Sequence, residues 1–180
     1  CANAITRDNN DNLWVGSDGG GLFKISGDGT KSLYTKDNTP LPNNAILTLT
    51  PDKRGTLWIS TYMGGITTYN PLRGFQSFSN DVELQKVNCT WYDRNSDKLY
   101  LGTLGYGVKV ISPTDNKIES FPKQGILGWI SSLYLDNAGT LWMGQTDGIL
   151  CYDTKTREEV NNELSEKMKG ASIGSILEDK

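Results

Sequence analysis

The chain has 180 residues, 36% of them hydrophobic and 22% charged, with 20 Gly, 5 Trp, 8 Tyr and 4 Phe. That apolar and aromatic content excludes a disordered polymer, no apolar run approaches the roughly 18 residues of a membrane span, and the N-terminus lacks a signal-peptide pattern. The net charge of −3 with no Lys/Arg cluster argues against a nucleic-acid partner, and the lack of any histidine removes His-based triads, His general bases and His-ligated metal sites.

One block recurs along the chain. It first reads Asp8-Asn9-Asn10-Asp11-Asn12-Leu13-Trp14-Val15-Gly16-Ser17, then Asp52-Lys53-Arg54-Gly55-Thr56-Leu57-Trp58-Ile59-Ser60-Thr61. The third copy, Asp93 to Thr103, carries one inserted residue and has Tyr100 at the aromatic place, and the fourth runs from Asp136 through Trp142 to Gln145. The aromatic positions 14, 58, 100 and 142 are 44, 42 and 42 residues apart, a period that marks a repeat architecture.

Each copy divides into short strands. The first strand precedes the Asp: Ala2–Ile5, then segments with an Ile-x-x-Leu pattern at Ile46 and Leu49 and at Ile130 and Leu133. Asp-x-x-Gly at 52–55 and 136–139 suits a type I turn, with Asp bonding its own backbone and Gly supplying positive φ. The Leu-aromatic-aliphatic run after it reads as a strand buried on both faces. Gly-rich turns follow (Gly19 to Gly21, Gly64 and Gly65, Gly105 to Gly107, Gly148), and then alternating third strands such as Leu22-Phe23-Lys24-Ile25 and Val108-Lys109-Val110-Ile111. Fourth pieces end three of the repeats: Ser32-Leu33-Tyr34, Phe75 to Phe78 and Ile118 to Phe121. Four antiparallel strands in each repeat predict an all-β fold of β-propeller blades. The expected blades are 1–40, 41–83, 84–125 and 126–170, with the first strand of a fifth over 171–180. Val160, Leu164 and Met168 predict a short helix stopped at Gly170, unless Glu159-Val160 extends the fourth strand instead.

The pattern Asp-x-x-Gly-x-Leu-Trp-Ile-Ser-Thr-x-x-Gly-Gly-Ile, followed by Tyr69-Asn70-Pro71, resembles the two-component regulator propeller repeat. The resemblance covers essentially the whole chain, with departures at Ser60 for the usual Gly, at Tyr100 for Trp, and at the insertion in the third turn. It implies a segment of the periplasmic sensor of a Bacteroides-type hybrid two-component histidine kinase, whose full extracytoplasmic part has two seven-bladed propellers and a sandwich domain before the membrane. The implied ligands are oligosaccharides, and the implied partners are the remaining blades and domains of the parent, with a homodimer as a further expectation.

Successive antiparallel turns alternate between the two ends of a sheet, so the second-to-third-strand turns and the connections between blades share one face. Ligand-binding candidates on that face are Asp18, Tyr62, Met63, Leu104, Tyr106 and Asp147 from the turns. The connections add Asn43, Asn44, Lys86, Lys123, Gln124 and Trp129. Aromatic faces would stack on sugar rings while Asn, Asp and Lys bond hydroxyls or acidic groups. Packing between blades competes with ligand binding for Trp129 and Tyr106, whereas Tyr62 reads as exposed. Trp14, Trp58, Tyr100 and Trp142 read as structural aromatics filling gaps between blades. Trp91 and Tyr92 read as core, and Cys89 and Cys151 as inert thiols.

No cofactor, metal site or catalytic residue is expected. Gly102 to Gly107 lacks the following helix that a phosphate loop needs. Asp8-x-Asn10-x-Asn12 has Leu13 where a calcium loop needs Gly. The sequon Asn88-Cys89-Thr90 lies in a predicted strand, and the three cysteines have no framework or metal spacing. A lipid anchor at Cys1 is disfavoured because Ala4-Ile5-Thr6 already reads as structure, so the chain reads as a cut piece. A four-bladed ring is disfavoured because Ala2–Ile5 already supplies the first blade's first strand, while a seven-bladed ring needs roughly 300 residues. A ligand-sensing segment without catalysis is therefore the leading reading, against a lyase-like propeller enzyme or a protein-binding scaffold.

Overall fold

The Asp-led turns close on themselves as their sequence demands. Asp8 Oδ1 accepts the N–H groups of Asn10 and Asn12, Asp52 Oδ1 those of Arg54 and Thr56, and Asp136 Oδ1 those of Ala138 and Thr140. Gly55 and Gly139 have φ of 78° and 91°, a region that glycine occupies without strain. These turns join the first two strands of each blade.

The computed structural model describes every residue except 79–80, 123–127 and 180. The chain divides into two units, Cys1–Val87 and Asn88–Lys180. In the first, β1 (Ala2–Arg7), β2 (Leu13–Ser17), β3 (Leu22–Ile25) and β4 (Lys31–Tyr34) pair antiparallel in chain order, as do β5 (Ile46–Pro51), β6 (Leu57–Thr61), β7 (Gly65–Asn70) and β8 (Gly74–Ser77). A 3₁₀ turn, Val82–Lys86, follows. In the second unit, β9 (Val87–Asp93), β10 (Lys98–Thr103), β11 (Val108–Ser112) and β12 (Lys117–Phe121) form another four-stranded sheet. The last sheet has β13 (Ser132–Leu135), β14 (Thr140–Gln145) and β15 (Gly148–Asp153), and a five-residue helix α1 (Glu163–Lys167) comes after it. The sheets are β-propeller blades.

The blades of the first unit pack face to face over Trp14, Leu22, Leu41, Ile46, Leu49, Leu57 and Ile59. β5 lies against β1 and β2, the neighbour relation expected of strands nearest a propeller axis. Its most buried strand is β6, hidden along its whole length, which is why its sequence does not alternate. In the second unit, Tyr100, Val108, Val110, Phe121, Ile130, Leu133, Leu141 and Met143 make the corresponding core. Fully burying a large aliphatic or aromatic side chain is worth about 1.5–3 kcal/mol, so these clusters hold each pair of blades together.

A glycine in the second strand sets how closely blades approach. A Cβ at Gly16 would stand 2.5 Å from Ile46 Cγ2, one at Gly102 2.6 Å from Ile130 Cγ2, and one at Gly144 2.8 Å from Ile173 Cγ2. The isoleucine of the next repeat sits where that Cβ would be. Its carbonyl also accepts a side-chain hydrogen bond, from Asn3 to Ile46, Asn88 to Ile130 and Ser131 to Ile173. The second blade departs in both respects. Ser60 replaces the glycine and shares a 2.8 Å hydrogen bond with Thr48, and Leu47, at the place of Asn3, has no group to donate.

Two expectations change near the C-terminus. The fourth strand of the last blade is reduced to a single bridge, Tyr152 to Glu159, with Val160 N–H donating to the Cys151 carbonyl. Pairing stops there because Asn162 caps α1, accepting the Ser165 N–H at 2.8 Å. The strand and helix alternatives are thus both present in short form, with Val160 and Leu164 left exposed rather than packed. Residues 171–179 form no strand. Ile173 nevertheless occupies a first-strand place, its N–H donating to the Gln145 carbonyl at 2.9 Å. A first strand takes its ladder from the second strand of its own blade, and no strand follows Ile173 among the described residues.

Candidate ligand-binding face

The aromatic side chains of the repeat answer to the turn aspartates. The indole N–H of Trp14 donates to Asp8 Oδ2 at 2.7 Å, that of Trp58 to Asp52 Oδ2 at 3.0 Å, and that of Trp142 to Asp136 Oδ2 at 2.8 Å. One carboxylate therefore holds both the turn and the ring six residues on. Trp14, Trp58 and Tyr100 are buried and Trp142 is half-buried. Burial alone would raise the Asp8 and Asp136 pKa, but the hydrogen bonds from Trp14 and Asn12, and from Trp142 and Thr140, outweigh it and hold both below 3.8. The Asp8 turn is thus committed to its own backbone and Trp14.

In the first unit the turns and inter-blade connections meet at one end of the sheets. Gly21 N–H donates to the Asn44 carbonyl at 2.9 Å, Tyr62 N–H to the Ala45 carbonyl at 2.9 Å, and Asn43 Nδ2 to the Tyr62 carbonyl at 3.0 Å. Asn44 Oδ1 also accepts the Lys36 N–H. The Asn43 and Asn44 side chains therefore brace the loops. Tyr62 and Met63 project outward, 55% and 51% exposed, and Met63 takes the left-handed φ of 52° that turns the chain. Asp18 is exposed, while Lys86 is half-buried at the end of the 3₁₀ turn that packs on β7.

The second unit gathers its candidates at the same end of its sheets. Leu104 forms a bridge with Trp129, and Gly105 N–H donates to the Gly128 carbonyl at 3.1 Å. Trp129 is 60% exposed, so it does not fill a gap between these blades. Tyr106 is half-buried, its N–H bonded to Thr103 Oγ1. Asp147 is exposed and lines a cleft of about 400 Å³ between the β14–β15 turn and α1, with Gln145, Glu166 and Lys169 on its walls. Lys123 and Gln124 lie outside the described residues. Tyr62, Met63, Trp129 and Asp147 are therefore exposed side chains, whereas Asn43 and Asn44 are committed to the framework.

Two residues depart from the sequence reading, and two cysteines follow it. Trp91 and Tyr92, expected in the core, are only half-buried, with Trp91 edge-on to Tyr134 at 5.0 Å. They wall a cleft at the opposite end of the strands, lined also by Tyr100. Cys89 and Cys151 form no disulfide. Desolvation pushes the Cys89 thiol up to about 12 and raises that of Cys151, so neither supplies a thiolate near neutral pH.

The fold and its repeated Asp–Trp turns define a propeller-repeat segment. Residues 40–63 match the model of the two component regulator propeller family. The chain superposes on the extracellular domain of a hybrid two component system from B. thetaiotaomicron with a TM-score of 0.82 and 23% identity, over 99% of this chain and 25% of that one. A second such extracellular domain from the same organism gives 0.71 and 21%, over 89% and 23%. Virginiamycin B lyase from Staphylococcus aureus gives 0.67 and 17%, over 88% and 54%; a His-to-Ala variant of that lyase, solved with quinupristin, is catalytically inactive. The chain thus spans about a quarter of the length of the sensor-system domains it resembles. No curated protein matches it. No helix among the described residues is long and apolar enough to cross a membrane.

Proposed function

We propose that this chain is a periplasmic ligand-sensing segment of a hybrid two-component sensor, that its ligand is an oligosaccharide, and that further parts of the same polypeptide carry the signal to a cytoplasmic histidine kinase. The observation that carries the ligand reading is the exposed Trp129, held on a backbone bridged to Leu104. An indole carried on an anchored backbone and open to solvent suits the apolar face of a sugar ring. In the first unit Tyr62 offers the same chemistry at the corresponding end of its sheets. Binding would act by favouring one arrangement of the parent's domains, which the kinase reads.

The proposal includes a partial propeller. Ile5, Val15, Phe23 and Leu33 are register partners across all four strands of the first blade, and Ile5, Phe23 and Leu33 are 65%, 40% and 45% exposed. The corresponding row of the second blade, Leu49, Ile59 and Thr67, is buried. The exposed row is therefore read as an inter-blade face that another repeat covers. The lyase-like reading is weaker, since the catalytic loss in the lyase follows replacement of a histidine and this chain has none.

Calorimetric titration of the chain against a panel of plant and host glycan fragments tests the reading. A saturable signal that weakens about tenfold in Trp129→Ala, the size expected for losing a stacked ring, is the expected outcome. Silence across the panel, or binding indifferent to both Trp129→Ala and Tyr62→Ala, overturns it.

A further inference from the structure

The third repeat is the one whose turn carries an insertion and whose tryptophan is Tyr100, and the two departures meet in one place. In the other repeats Oδ2 of the turn aspartate is taken by the indole N–H. Here Asp93 Oδ2 accepts the Ser96 hydroxyl at 2.5 Å and the Ser96 N–H at 3.2 Å, while Oδ1 accepts the Asn95 N–H. The inserted turn thus satisfies its own carboxylate. Tyr100 is 2% exposed, packs edge-on to Phe121 at 6.0 Å, and its hydroxyl has no hydrogen-bond partner among the described residues. That hydroxyl opens onto the cleft that Tyr100 lines, where a bound group can accept it.

Tyr100 lines a cleft of about 780 Å³ between the β9–β10 and β13–β14 turns, flanked by Trp91 and Tyr92. Its cations are Arg94, Lys98 and Lys155, none of which forms an ion pair among the described residues. Its carboxylates are Asp93 and Asp136, whose oxygens are occupied by the turn N–H groups, Ser96 and Trp142. Cations outside any ion pair among the described residues, aromatic walls and a hydroxyl donor open to the cleft make one kind of pocket: for an anion attached to a flat or ring-shaped body.

We propose that this cleft is a second ligand site, at the end of the strands opposite Trp129, that takes a small ring carboxylate. The carboxylate pairs with Lys98 and Lys155, an oxygen of the ligand accepts the Tyr100 hydroxyl, and the ring lies against Trp91. Desolvation, the nearby Asp93 charge and the opposing pull of Arg157 leave the Tyr100 pKa at about 12, so the phenol stays a donor throughout the physiological range. The site stands independently of the sugar-binding reading.

The test is an NMR titration of the 180-residue chain with sodium benzoate in one arm and sodium glucuronate in the other, following the Trp91 indole N–H resonance, with benzyl alcohol as the uncharged control. Saturable shifts with at least one acid, and none with the alcohol, are expected; benzoate alone identifies an aromatic acid and glucuronate a sugar acid. Tyr100→Phe should weaken binding about fivefold, the worth of one hydrogen bond, and the Lys98→Met/Lys155→Met double variant should abolish it. Tyr100→Trp should fill the cleft and abolish binding, while Trp129→Ala leaves it unchanged. No saturable shift with either acid, shifts equal for acid and alcohol, or binding unaffected by the lysine double variant overturns the proposal. The lysine variant changes no core residue, so it decides the matter even where a Tyr100 variant does not fold.

Discussion

A single carboxylate does two jobs in most repeats, closing a turn and holding an indole. Asp52 is 1% exposed and holds Arg54, Thr56 and Trp58 together. Its removal leaves buried N–H groups without an acceptor, so Asp52→Ala should destabilise the chain by about 2–4 kcal/mol, read from the denaturant midpoint. The depressed pKa values of Asp8 and Asp136 give the sign of the acid response. A carboxylate whose folded pKa lies below its unfolded one contributes stability that is fully present above the unfolded value near 3.8 and is lost as pH falls through the folded value. Melting temperature should therefore fall steeply below about pH 4, and the Asp8→Asn/Asp136→Asn double variant should flatten that fall. The cysteines differ in the same way. At pH 8, iodoacetamide should label the exposed Cys1 rapidly and leave Cys89 unmodified in the native chain, with mass spectrometry as the readout.

At the scale of the strand, the second-strand glycine is a spacing device rather than a turn residue. Gly102→Ala would put a methyl group 2.3 Å from Cys89 Sγ and 2.6 Å from Ile130 Cγ2, and such overpacking costs about 1–3 kcal/mol. Gly27→Ala meets nothing within 4 Å and has no positive φ, so it should be neutral or stabilising by up to about 1 kcal/mol. Comparing the two unfolding midpoints separates close approach from general glycine effects. The sequence contained the glycine in three repeats and the isoleucine some thirty residues on, yet neither names the other; their contact exists only once two blades face one another. Helix α1 was legible from the spacing of Val160, Leu164 and Met168, and Glu163 and Lys167 form an ion pair along it. Its exposed Leu164 was not, because an apolar residue at helical spacing is buried only where another element covers it.

For the molecule as a whole, the first blade's apolar row, Ile5, Phe23 and Leu33, is the main exposed hydrophobic feature of the first unit. The isolated chain should self-associate through it as concentration rises. Phe23→Lys/Leu33→Lys should return it to the monomeric sedimentation value without changing its melting temperature, since neither side chain belongs to the described cores.

The period, the Asp-led turns and the identity of the blades were readable in the sequence because each rests on contacts within a dozen residues: a carboxylate reaching its own backbone, a Gly at positive φ, a strand beside its neighbour. The same locality placed the candidate loops on a shared end of each sheet. Other features awaited the packing of one blade against the next. Trp129 turned outward and Trp91 stood half-open, although both look like core residues by composition. The Tyr100 cleft arose from an insertion and a substitution that read in the sequence only as blemishes on a repeat. Burial is a property of what lies opposite a side chain, and in a repeat protein the surface opposite belongs to residues about forty positions away, whose approach no local pattern encodes.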